Sequence, residues 1–356
     1  MGTPPIVVFA GEGSSHSWTW LADLFDNAGI SEIRFLCSKE FVNAVRNNPR
    51  AVIISGGDGY SIASALSGSG FKNLTEYIDS GGLYFGICAG AYLPLRSSIE
   101  PFSQFNLSSV KIDNIDCVLT QLDNVPPRVA VRYGTCSIVH PVRGEVIHGC
   151  GSSQLAAPLY GGPIFREPEE AEVLMRYREF TENTEFQMPK RLARTIVLGK
   201  PSAVRVHHGD GTLVLLGPHL EHPRFRGAND MFLDLVKLDR RQPMPKAEAP
   251  AHPRVERAAA DLKVAIVGLE NRSFVVGKKL WDGSRFLELA NAISKRSHTM
   301  ADDLAAKVAA DLETVRNRLT GLKMGIETDA DETTGMLVEI ARICVDNHFL
   351  MRTGSR

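Results

Sequence analysis

Four short apolar runs, at residues 6–10, 33–36, 51–55 and 83–87, open the chain, and between them apolar residues recur every three or four positions. The runs have strand length and most end in turn residues. The intervening stretches, 17–28, 39–47, 60–66 and 74–80, have helical spacing. Strand and helix therefore alternate, which predicts right-handed βαβ units around a parallel sheet buried on both faces. From about 105 to 200 the pattern changes to β-rich patches (109–121, 128–140, 193–198) broken by glycine and proline, read as an antiparallel excursion of the same domain. Parallel-sheet grammar returns at 203–207 and 212–216 and is followed by a helix over 228–238. Residues 240–254 (RRQPMPKAEAPAHPR) hold four prolines and almost no large apolar side chains, a composition that neither propagates a helix nor joins a core. A boundary is expected there: domain 1–240, linker 241–254, and a domain over 255–356. In that last part the spacing is helical almost throughout (255–269, 284–295, 300–322, 332–349), predicting a small bundle that folds apart from the α/β unit and pairs with a second copy.

Charge narrows the function. Forty lysines and arginines face 41 aspartates and glutamates, a net charge of −1, so no global field points to nucleic acid or an anionic membrane. No apolar stretch approaches the roughly 20 residues of a membrane span. The six cysteines form no C-x-x-C pair and sit in a chain too large to need disulfide staples. A cytoplasmic protein is the expectation.

The strongest chemical signal is Gly86-Ile87-Cys88-Ala89-Gly90, where a strand feeds a G-x-C-x-G turn that opens a helix. A nucleophile elbow needs glycines because a sharp strand-to-helix turn leaves no room for side chains beside the nucleophile. The helix end favours a thiolate, and the Ala89 amide can donate to an oxyanion. The other five cysteines read as inert packing. A thiol nucleophile needs a base. Among ten histidines, His219 stands just past the apolar run 212–216, at the strand end where ligands gather in open α/β sheets. Glu221, two residues on in an extended loop, projects to the same side and can fix the imidazole tautomer. The turn Ser55-Gly56-Gly57-Asp58-Gly59 brings further backbone amides to a strand end. Similar turns lie at 11–16 and at Tyr160-Gly161-Gly162. None is a dinucleotide or phosphate-loop fingerprint, and the histidines show no ligand spacing, so neither cofactor nor metal is expected. Glu12, in the first loop, is a further carboxylate that could approach the thiol.

These motifs, together with Gly81-Gly82-Leu83-Tyr84-Phe85 before the elbow and Ala157-Pro158-Leu159 before Tyr160, resemble the class I glutamine amidotransferase-like superfamily. Within it they are most similar to the amidotransferase-like domain at the N-terminus of biotin protein ligases, over about residues 4–240. The resemblance implies a flavodoxin-like, doubly wound fold, Cys88 as nucleophile, His219 as base and Glu221 as its orienter. It also implies oxyanion or substrate contacts from Gly56, Gly57, Ala89, Tyr160, Gly161 and Gly162. It does not imply biotin ligation, because the glycine- and arginine-rich ligase loop is missing. The expected activity is cleavage of a small-molecule amide through a thioester, with water or a separate ammonia-accepting synthase taking the product. The alternative is a non-catalytic binding or regulatory module that keeps the pocket.

Overall fold

A computed structural model describes residues 5–114, 130–133, 136–238, 251–277, 279–298, 300–326 and 329–354. The opening alternation folds as the hydrophobic pattern dictates: β1 (Ile6–Phe9), α1 (Trp18–Asn27), β2 (Ile33–Leu36), α2 (Ser38–Val45), β3 (Ala51–Ile54), α3 (Gly59–Asp79), β4 (Leu83–Ile87) and the single helical turn α4 (Ala89–Tyr92). The two short helices expected over 60–80 meet at Ser67, whose φ of 56° breaks the helical path within α3. The helix expected after Cys88 stops after one turn because Pro94 cannot continue it.

The middle of the chain supplies β5 (Ala130–Tyr133), β6 (Cys136–Val139), β7 (Val142–Cys150), β8 (Ser153–Leu159), β9 (Glu172–Phe186), α5 (Lys190–Val197), β10 (Pro201–His208), β11 (Gly211–Leu216) and α6 (Arg226–Leu235). Nine strands form one sheet in the order β2-β1-β3-β4-β11-β10-β9-β7-β8. The first five are mutually parallel and have the flavodoxin-like order, with the strand order reversing between β1 and β3. The last four run antiparallel, the excursion anticipated from the sequence. Two details differ from expectation. Residues 193–197 belong to helix α5, because Leu192, Ala193, Ile196 and Val197 recur at helical spacing and Ala193 and Val197 are buried; the β-branched pair Ile196-Val197 misleads. Strand β10 is antiparallel to both its neighbours and is not part of the parallel set. Part of the patch 109–121 lies outside the described residues.

Beyond residue 250 come α7 (Pro253–Ile266), β12 (Ser273–Val276), β13 (Lys279–Asp282), α8 (Ser284–Lys295), α9 (Asp302–Met324) and α10 (Ala330–Gly354). The β12–β13 hairpin falls in the gap between the helical spacings at 255–269 and 284–295, where no element was expected. Most of the expected linker, 241–250, lies outside the described residues.

The tail does not stand apart from the sheet. One face of the sheet, through Val8, Phe35 and Phe85, packs on α1 and α6, and the same apolar cluster continues into Leu262, Leu289, Leu312, Ile340 and Phe349. On α10, Asp346 accepts from the Phe35 amide at 2.8 Å and from Arg34 Nε at 2.9 Å. Arg296, only 2 % exposed, donates to Asp23 and Asp26 of α1. The expectation that the tail folds apart from the α/β unit rested on a polar connection, but a polar connection says nothing about the faces of the helices beyond it. The other face of the sheet is closed by α2 and α3 around Val7, Phe9, Val52 and Ile54.

Candidate active site

Four loops meet at the C-terminal ends of the parallel strands: 10–17 after β1, 55–58 after β3, the elbow after β4, and 217–225 after β11. Cys88 has φ 52° and ψ −107°, a region that L-residues avoid, at a cost of roughly 1–3 kcal/mol. Neighbouring chain holds it there: its amide donates to Leu216 O at 2.9 Å, and the Gly90 amide donates to Ser55 O at 3.2 Å. A Cβ on Gly90 would lie 2.0 Å from Ile54 O, so the elbow closes on β3 only with glycine there.

His219 and Glu221 come together as their spacing suggested. His219 Nδ1 and Glu221 Oε1 are 2.7 Å apart, and both residues are buried. The imidazole also shares a hydrogen bond with the Cys88 side chain. Burial by itself would lower the His219 pKa; attraction from Glu221 and from the Cys88 thiolate, with hydrogen bonds to both, overrides it and pushes it up to about 10. Trp20 and Tyr160 wall the ring, with centroids at 5.4 and 5.7 Å.

Behind the carboxylate runs a chain of hydroxyls that no sequence motif announces. Ser55 Oγ donates to Glu221 Oε1 at 3.3 Å, and Ser17 Oγ lies 2.9 Å from both Ser55 Oγ and Ser15 Oγ. Ser17 Oγ also accepts from the Gly56 amide at 3.1 Å. The Gly56 amide is thus committed. Among the described residues the Gly57 amide donates to no backbone carbonyl, and the Ala89 amide heads a helical turn, where no earlier residue can accept from it. These two are the amides open to an oxyanion.

Cys88, His219, Gly56, Gly57 and Tyr160 line one cleft of about 300 Å³. Gly161 and Gly162 do not; their carbonyls accept from Tyr92 Oη at 3.0 Å and face His140 Nε2 at 2.9 Å, and Gly162 packs on Gly217. Glu12 is exposed and lines a different groove. The cleft also contains His16, His222, Arg143, Arg224 and Arg285. Burial first, then the surrounding cations, lowers His16 well below its ordinary value and His222 to about 4. Ser284, Arg285 and Glu288 come from the first five residues of α8, so the tail reaches the site although its own sequence shows no catalytic pattern. Burial raises the Cys37 thiol and pushes Cys344 up to about 12. Cys117 lies outside the described residues. Among the described residues, no group of three or more His, Cys, Asp or Glu is placed to hold a metal ion, and no helix is long and apolar enough to cross a membrane.

A flavodoxin-like sheet with a cysteine elbow after its fourth strand and His-x-Glu after its fifth parallel strand is similar to the class I glutamine amidotransferase-like superfamily. More narrowly, residues 43–101 match the family described as biotin-protein ligase, N terminal; that segment carries the Gly56-Gly57 turn and the Cys88 elbow. No curated protein matches in sequence. Among solved structures, a glutamine amidotransferase is 19 % identical with a TM-score of 0.41, over 65 % of this chain and 99 % of that one. A structure described as one component of a GMP synthase, from Thermoplasma acidophilum, is 11 % identical with a TM-score of 0.38, over 67 % and 94 %. The β-galactosidase Gan42B is 9 % identical with a TM-score of 0.39, over 67 % of this chain and 31 % of its own. At these values the likenesses carry no weight for function.

Proposed function

We propose that the protein cleaves the C–N bond of a small carboxamide with Cys88 as nucleophile, His219 as acid and base, and Glu221 as orienter of the imidazole. The observation that carries this reading is the buried Cys88–His219–Glu221 contact opening on one cleft, with the imidazole biased to its charged form. The resting pair is then thiolate and imidazolium. Sulfur attacks the amide carbon, the C=O electrons move to oxygen, and the oxyanion faces the Gly57 and Ala89 amides. His219 gives its proton to the departing nitrogen, which leaves as ammonia or an amine while a thioester remains. Water then adds to the thioester, losing a proton to His219. Collapse frees the carboxylic acid and restores the thiolate. A separate synthase that receives the ammonia is compatible with this sequence of steps.

A binding module in which the site is silent would have no use for a fully buried Glu221 held on His219; a carboxylate turned to solvent would suit it better. A homodimer through the C-terminal helices is a further part of the proposal, with the exposed Val264, Val267, Met324 and Ile326 as the surface a second copy would cover; sedimentation at micromolar concentration checks it. The deciding experiment incubates the protein with glutamine and a panel of small amides and follows ammonia release and the intact mass. A thioester adduct on Cys88, and loss of turnover by about 10³-fold or more in Cys88→Ala, are expected. Turnover that survives Cys88→Ala overturns the reading.

A further inference from the structure

The serines behind Glu221 have a direction that their partners fix. An ionised carboxylate accepts and cannot donate, so Ser55 Oγ, 3.3 Å from Glu221 Oε1, spends its proton there. The 2.9 Å contact between Ser17 Oγ and Ser55 Oγ then has Ser17 as donor. With its proton spent, Ser17 Oγ accepts from Ser15 Oγ at 2.9 Å and from the Gly56 amide at 3.1 Å. The hydroxyls of Ser15, Ser17 and Ser55 therefore all point towards the carboxylate, and Ser17 uses its one donor and both its acceptor positions. All three serines are buried. Ser17 also holds the N-cap position of α1, where serine is favoured because its side chain can bond the first amides, yet it makes no side-chain cap bond. Backbone carbonyls take those amides instead: Thr19 donates to His16 O at 2.9 Å and Trp20 to Ser17 O at 3.1 Å. The hydroxyl is thereby released to turn towards the site.

We propose that Ser17 is a positioning residue that ties the Gly56-Gly57 turn to Glu221, so that the oxyanion donor and the proton carrier are held in one frame. This inference rests on the amide-cleaving reading above. An amide stabilises an oxyanion only when it already stands about 2.7–3.1 Å from the place the oxygen will take, so the turn must be fixed before charge develops. A Cβ on Gly56 would lie 2.8 Å from Ser17 Oγ and 2.9 Å from His219 Cε1. The turn is thus pressed against the Ser17 hydroxyl and the imidazole at once, and the Gly57 amide moves with it. A charged Glu221 draws the Ser55 and Ser17 protons towards itself, which makes Ser17 Oγ the stronger acceptor for the Gly56 amide. The same unit reaches the elbow, because Ser55 O accepts from the Gly90 amide at 3.2 Å. Ser17 touches none of the reacting atoms in this scheme; it acts through the turn and through Ser55.

Ser17→Ala and Ser17→Thr test this in the full chain. Ser17→Ala leaves the Gly56 amide and Ser55 Oγ each short of a partner. Its kcat should fall by about thirtyfold with KM within about threefold of wild type, because substrate contacts survive while the oxyanion donor is displaced. Ser17→Thr keeps the hydroxyl and should recover most of that loss. In a double-mutant cycle, Ser17→Ala should cost less in a Ser55→Ala background than in the wild type, since part of its effect runs through Ser55. A further readout needs no substrate: the Gly56 amide proton, followed by NMR, should exchange with solvent about tenfold faster in Ser17→Ala and return towards the wild-type rate in Ser17→Thr. A loss carried by KM, effects of Ser17 and Ser55 that simply multiply, or Gly56 exchange unchanged in Ser17→Ala overturns the role. A wild type that turns over no amide, with Gly56 exchange still set by the Ser17 hydroxyl, removes the amide-cleaving reading and keeps the tie between Ser17 and the turn.

Discussion

Two carboxylates in this protein, the buried Glu221 and the half-buried Asp26, each sit beside a histidine, and their surroundings differ. Glu221 lies 2.7 Å from His219, buried behind the cleft, and among the described residues its Oε2 has no hydrogen-bond partner. Asp26, on α1, faces His348 at 2.9 Å and also takes Arg296 at 2.9 Å and Arg352, so both its oxygens are filled. At Glu221 the consequence appears on the partner: a lone carboxylate in a dry site raises the imidazole's hold on its proton. At Asp26 it appears on the carboxylate. Burial alone would raise its pKa, but the His348 hydrogen bond, with Arg296 and the other cations, holds it below the usual value. A carboxylate clamped by several cations fastens one part of a chain to another. One shared with a single histidine leaves that histidine able to move a proton.

The largest effect should follow from breaking the first arrangement. Glu221→Gln keeps the shape but removes the charge that makes His219 basic, and turnover should fall by about 10²–10⁴-fold. The pH profile gives the sharper reading. In the wild type His219 loses its proton only as pH rises through about 10, so the alkaline limb of turnover should lie there. In Glu221→Gln that limb should move down towards the ordinary value of about 6.5. Stability follows the same sign: a raised histidine pKa contributes fully below about 6.5, and that contribution declines until about pH 10. An alkaline limb that stays in place in Glu221→Gln would show that the carboxylate does not set the proton affinity of His219.

Breaking the second arrangement should cost stability and spare the thiol. Asp26→Asn leaves Arg296, 2 % exposed, with Asp23 as its remaining carboxylate. Because Asp26 is about a fifth exposed, a loss of about 2 kcal/mol in urea unfolding is expected, below the full penalty for a wholly buried pair. Alkylation of Cys88 by iodoacetamide should stay within about twofold of wild type. The Asp26 contribution is present above its unfolded pKa and lost as pH falls through its lower folded value, so the difference between variant and wild type should shrink below about pH 4. A variant as stable as the wild type would make the contact between α1 and the tail incidental.

The contrast also shows what a sequence can reveal. The meeting of Cys88, His219 and Glu221 was legible because each follows a strand whose apolar run is plain, and because strand ends in such a sheet converge. Parallel strands buried on both faces read as continuous apolar runs, and all five were placed within a residue of their observed ends. Helix α5 was hidden by its β-branched residues, and the β12–β13 hairpin was concealed between helices with strong periodicity. Arg285, Arg143 and the serines behind Glu221 were not legible as a site. Nothing in RSFVVGKKLWDGSRF fixes where the first turn of α8 will dock, and that depends on the apolar face α7–α10 share with α1 and β2. Asp26 and Arg296 are 270 positions apart, and no local pattern connects them.

The smallest effect tests how far the Glu221 arrangement extends. Ser55 Oγ reaches Glu221 Oε1 at 3.3 Å, a long contact beside the 2.7 Å of His219 to the same oxygen. The hydroxyl therefore polarises the carboxylate less than the imidazole does, and it is itself steadied by Ser17 at 2.9 Å. Ser55→Ala removes one oxygen without opening a cavity of any size and leaves Ser17 with Ser15 and the Gly56 amide as partners. A net loss of roughly 0.5–1.5 kcal/mol is ordinary for one hydrogen bond. Turnover should then fall by only about two- to tenfold, with the alkaline limb displaced much less than in Glu221→Gln. If Ser55→Ala instead reproduces the full loss and pH shift of Glu221→Gln, the hydroxyl is what holds the carboxylate on His219, and the working unit extends into the serines. A result near wild type limits it to the cysteine, the histidine and the glutamate, with the serines serving to shape the Gly56-Gly57 turn.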